Sequence, residues 1–154
     1  MTLAHRPADA GDRRFIVSAW VSSFRDADAA GFIAVDDWHA VMVPQVERAL
    51  TRPDVVATVA YEATDPDRGA DLYGFIVADV AEHPALVYYV YTKQAYRRSG
   101  VARGMFAAVG IDPALPFHFV CSTPWCSTLE RKIPMARWMP RLGRFPKSER
   151  RRAG

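Results

Sequence analysis

The chain has only two cysteines among its 154 residues, and they exclude more than they offer. Cys121 and Cys126 stand in a C-x4-C arrangement that is not one of the usual zinc-pair spacings, and no second pair completes a site. Two thiols in a reducing compartment are the plain reading, and cytoplasm is the expected location. No apolar run reaches the roughly 18 residues that a membrane span needs. The first twenty residues lack the basic-then-apolar layout of a secretory leader. Neither the G-x-x-x-x-G-K-[ST] string of a P-loop nor the G-x-G of a dinucleotide fingerprint occurs.

What is present is an ordinary globular composition with an uneven charge. Half the residues are hydrophobic and about a quarter are charged. A chain of this length suits one domain with a real core. Residues 131–154 carry nine Lys or Arg against Glu149 alone, a balance of +8 in a chain of net +3, which leaves −5 for residues 1–130. Such an end can serve a polyanion, but no recognised nucleic-acid module accompanies it, and nucleic acid is not the expected partner. The last stretch, "KSERRRAG", reads as a solvated tail. The expected organisation is one domain over residues 1–145 and a basic tail over 146–154.

Hydrophobic spacing orders the elements. "LAHRPA" (3–8) reads as a short strand ended at Pro7, and Phe15, Ile16, Ala19, Trp20 and Phe24 recur at helical spacing. A second helical pattern runs through Trp38, Val41, Met42, Val46, Ala49 and Leu50, and Pro44 inside it predicts a kink or a fresh start. "VVATVAYEA" (55–63), "LYGFIVADV" (72–80) and "ALVYYVYTK" (85–93) read as strands, with Gly74 marking a bulge or a close backbone approach. A helix over about 101–109, a strand "FHFVCST", a short helix from Pro124 and a strand "MARWMP" follow. The order β-α-α-β-β-β-α-β-α-β describes an α/β domain around a mixed sheet.

The most informative stretch is "VYTKQAYRRSGVARGMFAAVG" (90–110), where an aromatic strand meets a helix through a basic turn. A helix starting there exposes its first backbone N–H groups, and its dipole favours an anion. Gly100 allows a sharp turn and a close ligand approach, Ala102 is small, and Arg97, Arg98 and Arg103 add charge suited to phosphate oxygens. Together they describe a pyrophosphate cradle.

Arg97-Arg98-Ser99-Gly100-Val101-Ala102 resembles the [QR]-x-x-G-x-[GA] signature of the GNAT N-acetyltransferase superfamily. Thr92 supplies the β-branched residue five positions before the first arginine, "LYGFIVA" is similar to the strand before it, and "TPWCSTLERKIPM" takes the place of the helix after the fifth strand. The stretch "FIVSAWVSSFR" (15–25) is faintly similar to small acetyltransferase-like proteins of phage genomes. The resemblance implies a GNAT-like (acyl-CoA N-acyltransferase) fold, a mixed and mostly antiparallel sheet flanked by helices, with acetyl-CoA as cofactor and an amine on a small molecule or a protein as acceptor. It implies that Arg98 to Arg103, with Ser99, Gly100, Val101 and Ala102 between them, offer backbone N–H groups to the pyrophosphate. Arg97 and Arg98 add charge, and the backbone of Tyr91 and Thr92 pairs with the pantetheine arm. It leaves room for a homodimer and gives no membrane role.

The expected acid and base depart from the family pattern. The tyrosine of the helix after the fifth strand is replaced by Glu130, with Pro134 and Met135 where Gly and Phe are common, and the carboxylate early in the fourth strand is replaced by Leu86. Tyr88 and Glu130 are therefore the catalytic candidates, set against core packing for Tyr88 and a solvated helix position for Glu130. Tyr88 is expected on the face of Leu86, with Tyr89 and Tyr91 on the opposite one. His118 reads as a hydrogen-bonded core histidine, Cys126 lacks a neighbouring base, and His39 and His83 read as surface residues. Trp20, Trp38, Trp125 and Trp138 read as core or groove walls; the resemblance also implies that the first helices and the loop at Gly31 shape the acceptor site, where Trp20, Phe24 and Trp38 would touch substrate. The alternative to a transferase is a GNAT-fold binding or regulatory protein, of phage type, with little catalysis.

Overall fold

A computed structural model of the chain describes residues 1–27, 32–64, 71–120 and 135–138. Within them lie β1 (Leu3–Pro7), α1 (Arg13–Ala27), α2 (Val35–Leu50), β2 (Val55–Glu62), β3 (Leu72–Asp79), β4 (Ala85–Thr92), a 3₁₀ turn (Gln94–Tyr96), α3 (Val101–Ala108), β5 (Phe117–Phe119) and β6 (Ala136–Trp138). The strands form one sheet in chain order. The pairs β1–β2, β2–β3 and β3–β4 are antiparallel, and β4–β5 and β5–β6 are parallel. This is the mixed, mostly antiparallel sheet expected from the sequence. The helix expected from Pro124 lies outside the described residues.

Every residue of β3 is buried, which is why it reads as a continuous apolar run: helices cover both of its faces. On one face α1 and α2 set Ile16, Trp20, Val21, Trp38 and Val46 against Val59, Phe75, Val77 and Leu86. On the other, α3 sets Val101, Met105 and Phe106 against Ala60, Ile76, Val87 and Phe117. Each such side chain contributes about 1.5–3 kcal/mol on burial. The Trp38 indole N–H donates to the Val21 carbonyl at 2.8 Å and ties α2 to α1. α2 runs unbroken through Pro44, where the sequence predicts a kink or a new helix. The proline ring sits on the exposed side, and Trp38 and Val46 bury α2 on either side of it.

Two bulges decide which side chains meet. Ala60 pairs with Gly74 and Tyr61 with Leu72, so Tyr73 is the extra residue on β3. Val77 pairs with Tyr89 and Ala78 with Val87, so Tyr88 is the extra residue on β4. Gly74 is also a close approach: a Cβ there would lie 2.2 Å from the Tyr91 carbonyl oxygen. Both readings offered for Gly74 in the sequence hold at once.

Candidate active site

β4 and β5 pair over three residues only, from Ala85 with Phe117 to Val87 with Phe119. The Val120 N–H, donating to the Val87 carbonyl at 3.1 Å, ends the paired part. Among the described residues β4 has no β5 residue opposite from Tyr88 to Thr92, and within them the sheet opens there as a fork. The phase of the backbone there follows from Lys93, whose N–H donates to the Tyr73 carbonyl at 2.8 Å. Alternation then turns the N–H and C=O of Val90 and Thr92 toward the open side and those of Tyr91 toward β3. The sequence reading placed Tyr91 and Thr92 on the open edge. Thr92 stands there, but the Tyr91 carbonyl lies against Gly74, and Val90 takes its place.

The end of the fork leads into the arginine turn. Arg98 has φ 67° and Gly100 has φ 83°, both left-handed. Gly100 is the N-cap of α3 and has no side chain to cap it. The first intrahelical donor is the Gly104 N–H, bonded to the Gly100 carbonyl at 2.9 Å. The N–H groups of Val101, Ala102 and Arg103 therefore precede the helix ladder and point out of its positive end. Among the described residues, nothing lies within 4 Å of where a Gly100 Cβ would be. Arg97, Arg98, Ser99, Gly100 and Arg103 are exposed, Ala102 is half-buried, and Val101 is buried under the sheet. The Arg97 guanidinium reaches back to the Thr92 carbonyl at 3.3 Å, and the Ser99 hydroxyl donates to the Tyr96 carbonyl at 2.8 Å. All the predicted turn residues thus come together around one patch of N–H donors and positive charge.

Behind the turn, its supports run to the start of β3. Asp71 accepts from the Lys93 ammonium at 2.8 Å and from the Tyr96 hydroxyl at 3.0 Å. The Tyr96 ring lies 4.2 Å from that of Tyr73, centroid to centroid, and the Tyr73 hydroxyl donates to Glu62 at 2.5 Å. Glu62 also accepts from the Thr2 N–H at 2.9 Å. These bonds, that of Tyr73 first, hold the Glu62 carboxyl down at about 2 and push the Tyr73 phenol above its ordinary value. Lys93 first, then Tyr96, lowers Asp71. On the other side of α3, burial lowers the His5 imidazole. Its ring lies so close to Gly104 that a Cβ there would be 2.6 Å away.

On the α1/α2 face the fork is lined by aromatic residues. The bulge turns Tyr88 and Tyr89 to the same side, with Leu86 and Tyr91, which overturns the alternation expected from the sequence. One extra residue shifts the parity of the strand. Tyr88 is buried, and its hydroxyl accepts a hydrogen bond from the Arg52 guanidinium, which also lies 5.6 Å from the centre of its ring. Nothing in the sequence signals Arg52, because only tertiary packing brings the end of α2 to β4. Trp20 stacks on Tyr89 at 5.1 Å, and Ser23 and the Tyr89 hydroxyl share a bond of 2.8 Å. Trp20 and Trp38 are buried in the core and Phe24 is half-buried against Trp38 and Tyr89. Leu86 is buried at the site's closed end.

His118 is half-buried between Phe117 and Phe119, which bury themselves on the α3 side. Alternation therefore gives His118 to the α1/α2 face, opposite Leu86 in the register. The apolar-His-apolar spacing is the signal the core reading passed over. His39 lines a groove of about 520 Å³ between α1 and α2, and His83 is exposed. Glu130, Cys121, Cys126, Trp125, Gly31 and residues 146–154 lie outside the described residues, as does the side chain of Trp138. No group of three or more His, Cys, Asp or Glu among the described residues could hold a metal ion. No described helix is long and apolar enough to cross a membrane.

No known family's sequence profile matches the chain, and no curated protein sequence matches it. Solved structures do. A GCN5-related N-acetyltransferase from Ralstonia eutropha superposes with a TM-score of 0.53 at 16% identity, over 99% of this chain and 91% of its own. A predicted acetyltransferase from Clostridium acetobutylicum, solved with acetyl-CoA, gives 0.52 at 18% identity over 93% and 84%. PaiA N-acetyltransferase from Thermoplasma acidophilum, in complex with coenzyme A, gives 0.51 at 14% identity over 100% and 89%. The chain has the GNAT acetyltransferase fold.

Proposed function

We propose that the chain is an acetyl-CoA-dependent N-acetyltransferase that holds its cofactor in the β4–β5 fork, with the pyrophosphate on residues 98–103. The observation that carries this reading is the left-handed turn at Arg98 and Gly100, set at the mouth of a fork in a sheet of GNAT fold. Unpaired strand edge and uncapped helix N-terminus are two halves of one long, extended, anionic ligand's needs. The pantetheine arm would run along β4 and bond to the outward groups of Val90 and Thr92, as an added strand. Arg97, Arg98 and Arg103 supply charge to the phosphates, and Ser99, Gly100, Val101 and Ala102 leave the backbone accessible.

The chemistry follows from where the thioester would lie. The acceptor's amine nitrogen attacks the acetyl carbonyl carbon, the new C–N bond forms, and the C–S bond breaks to release coenzyme A as a thiolate. The ammonium must lose a proton and the thiolate must gain one. Tyr88 and His118 lie on the acceptor face, beside Tyr89 and Tyr91, and are the candidates there, with Glu130 the further candidate from the sequence. Holding amine and thioester together supplies much of the rate whichever group moves the proton. Thiol release on incubation with acetyl-CoA and a panel of small amines and basic peptides tests the activity, and calorimetry with coenzyme A tests the site.

A second reading, a GNAT-fold binding protein with little catalysis, is favoured by two observations. Leu86 is buried where a carboxylate serves other members, and the Tyr88 hydroxyl is already engaged by Arg52. Coenzyme A binding without turnover of any amine would select it.

A further inference from the structure

We infer that Asp71 is a positioning residue: by clamping Lys93 and Tyr96 it sets the arginine turn in its anion-binding shape before any ligand arrives. The inference rests on the cofactor reading above, and the grounds for it are separate. Between the end of β4 and the left-handed turn lie only Lys93, the 3₁₀ turn Gln94–Tyr96 and Arg97. Two residues of that segment are tied to one carboxylate just before β3, Lys93 at 2.8 Å through one oxygen and Tyr96 at 3.0 Å through the other. The Lys93 backbone is tied as well, to the Tyr73 carbonyl at 2.8 Å.

The clamp is transmitted to the turn through Tyr96. Its carbonyl accepts from the Ser99 hydroxyl at 2.8 Å, and its ring is fixed against Tyr73, which Glu62 holds in turn. Arg98 at φ 67° is a non-glycine residue in the left-handed region, which L side chains disfavour, so the turn would relax unless its surroundings determined it. A loose turn would have to be ordered on binding, at the expense of affinity. Asp71 is half-exposed, so its ion pair adds little to global stability. Its effect is local.

The test uses Asp71→Asn and Tyr96→Phe, which keep side-chain shape and the Tyr96–Tyr73 ring contact. Coenzyme A affinity should fall about threefold to tenfold in each, the loss of one hydrogen bond. The double variant should fall by no more than the larger single loss, because the two partners share one bond. Affinity for S-acetylpantetheine, which lacks the pyrophosphate, should stay unchanged, and melting temperature should move little. In the ligand-free chain, amide exchange over residues 97–100 should accelerate while β4 keeps its protection. Equal losses for both ligands, or unchanged coenzyme A affinity with unchanged exchange at the turn, would overturn the clamp. A parent chain that binds no coenzyme A removes the cofactor reading and this inference with it. A parent that binds while both variants match it removes the clamp alone.

Discussion

Replacing Gly100 by leucine separates a role in folding from a role in binding. Among the described residues of the ligand-free chain nothing lies within 4 Å of the added Cβ, so the substitution meets no steric obstacle from them. Its cost is that of holding φ at 83° with a side chain, about 1–2 kcal/mol. A domain of this size loses roughly 2–4 °C of melting temperature per kcal/mol, so the drop should be about 2–8 °C, and the chain should remain folded. Binding should suffer far more. The new side chain stands in the space over the Val101, Ala102 and Arg103 N–H groups, where the pyrophosphate would sit. Losing two bonds from backbone donors to a charged oxygen, at about 1.5–3 kcal/mol each, amounts to roughly 10²–10⁴-fold in affinity. Isothermal calorimetry with coenzyme A, beside a thermal melt, reads both numbers. Unchanged affinity in a folded Gly100→Leu chain would refute the placement of the phosphates on this turn.

The other expectations concern the sheet, the acid limb, the tail and the chemistry. Gly74→Ala forces a Cβ to within 2.2 Å of the Tyr91 carbonyl, so it should destabilise by about 1–3 kcal/mol, seen as a lower urea midpoint; a neutral result would mean that β4 yields easily there. Glu62 is held near 2 against an ordinary 4.5, so its contribution is complete above about pH 4.5 and is lost as pH falls toward 2. Glu62→Gln should flatten that part of the stability–pH curve, and an unchanged acid limb would count against the Tyr73 bond. Deleting residues 146–154, which carry four basic side chains and little apolar surface, should leave the melting temperature within a few degrees and coenzyme A binding intact; a large loss would show that they dock. If an amine acceptor is found, Tyr88→Phe or Glu130→Gln should lower kcat by about 10²–10⁴-fold with acetyl-CoA affinity nearly kept. Small effects from both would turn attention to His118 or to water.

What the sequence determined is what depends on neighbours in the chain. Alternation and helical spacing located the strands, α1, α2 and α3 within a residue or a few, because burial of one face repeats along each element. The turn was legible for the same reason: Arg97 to Arg103 are contiguous, and a glycine before a helix has few uses besides a left-handed cap. Gly74 announced itself as an interruption in an apolar run. Everything that crosses between elements was decided by the tertiary structure. A bulge at Tyr88 depends on the register with β3, so no pattern within β4 foretold that Tyr88 and Tyr89 would share a face or that Val90 would replace Tyr91 on the open edge. Pro44 is tolerated because packing against α1 and the sheet outweighs one missing hydrogen bond. Arg52 reaches Tyr88, and Asp71 ties Lys93 to Tyr96, across loops whose length fixes no contact. The arginine turn is written locally, but the carboxylate that ties its approach, Asp71, stands just before β3, and only packing brings the two together.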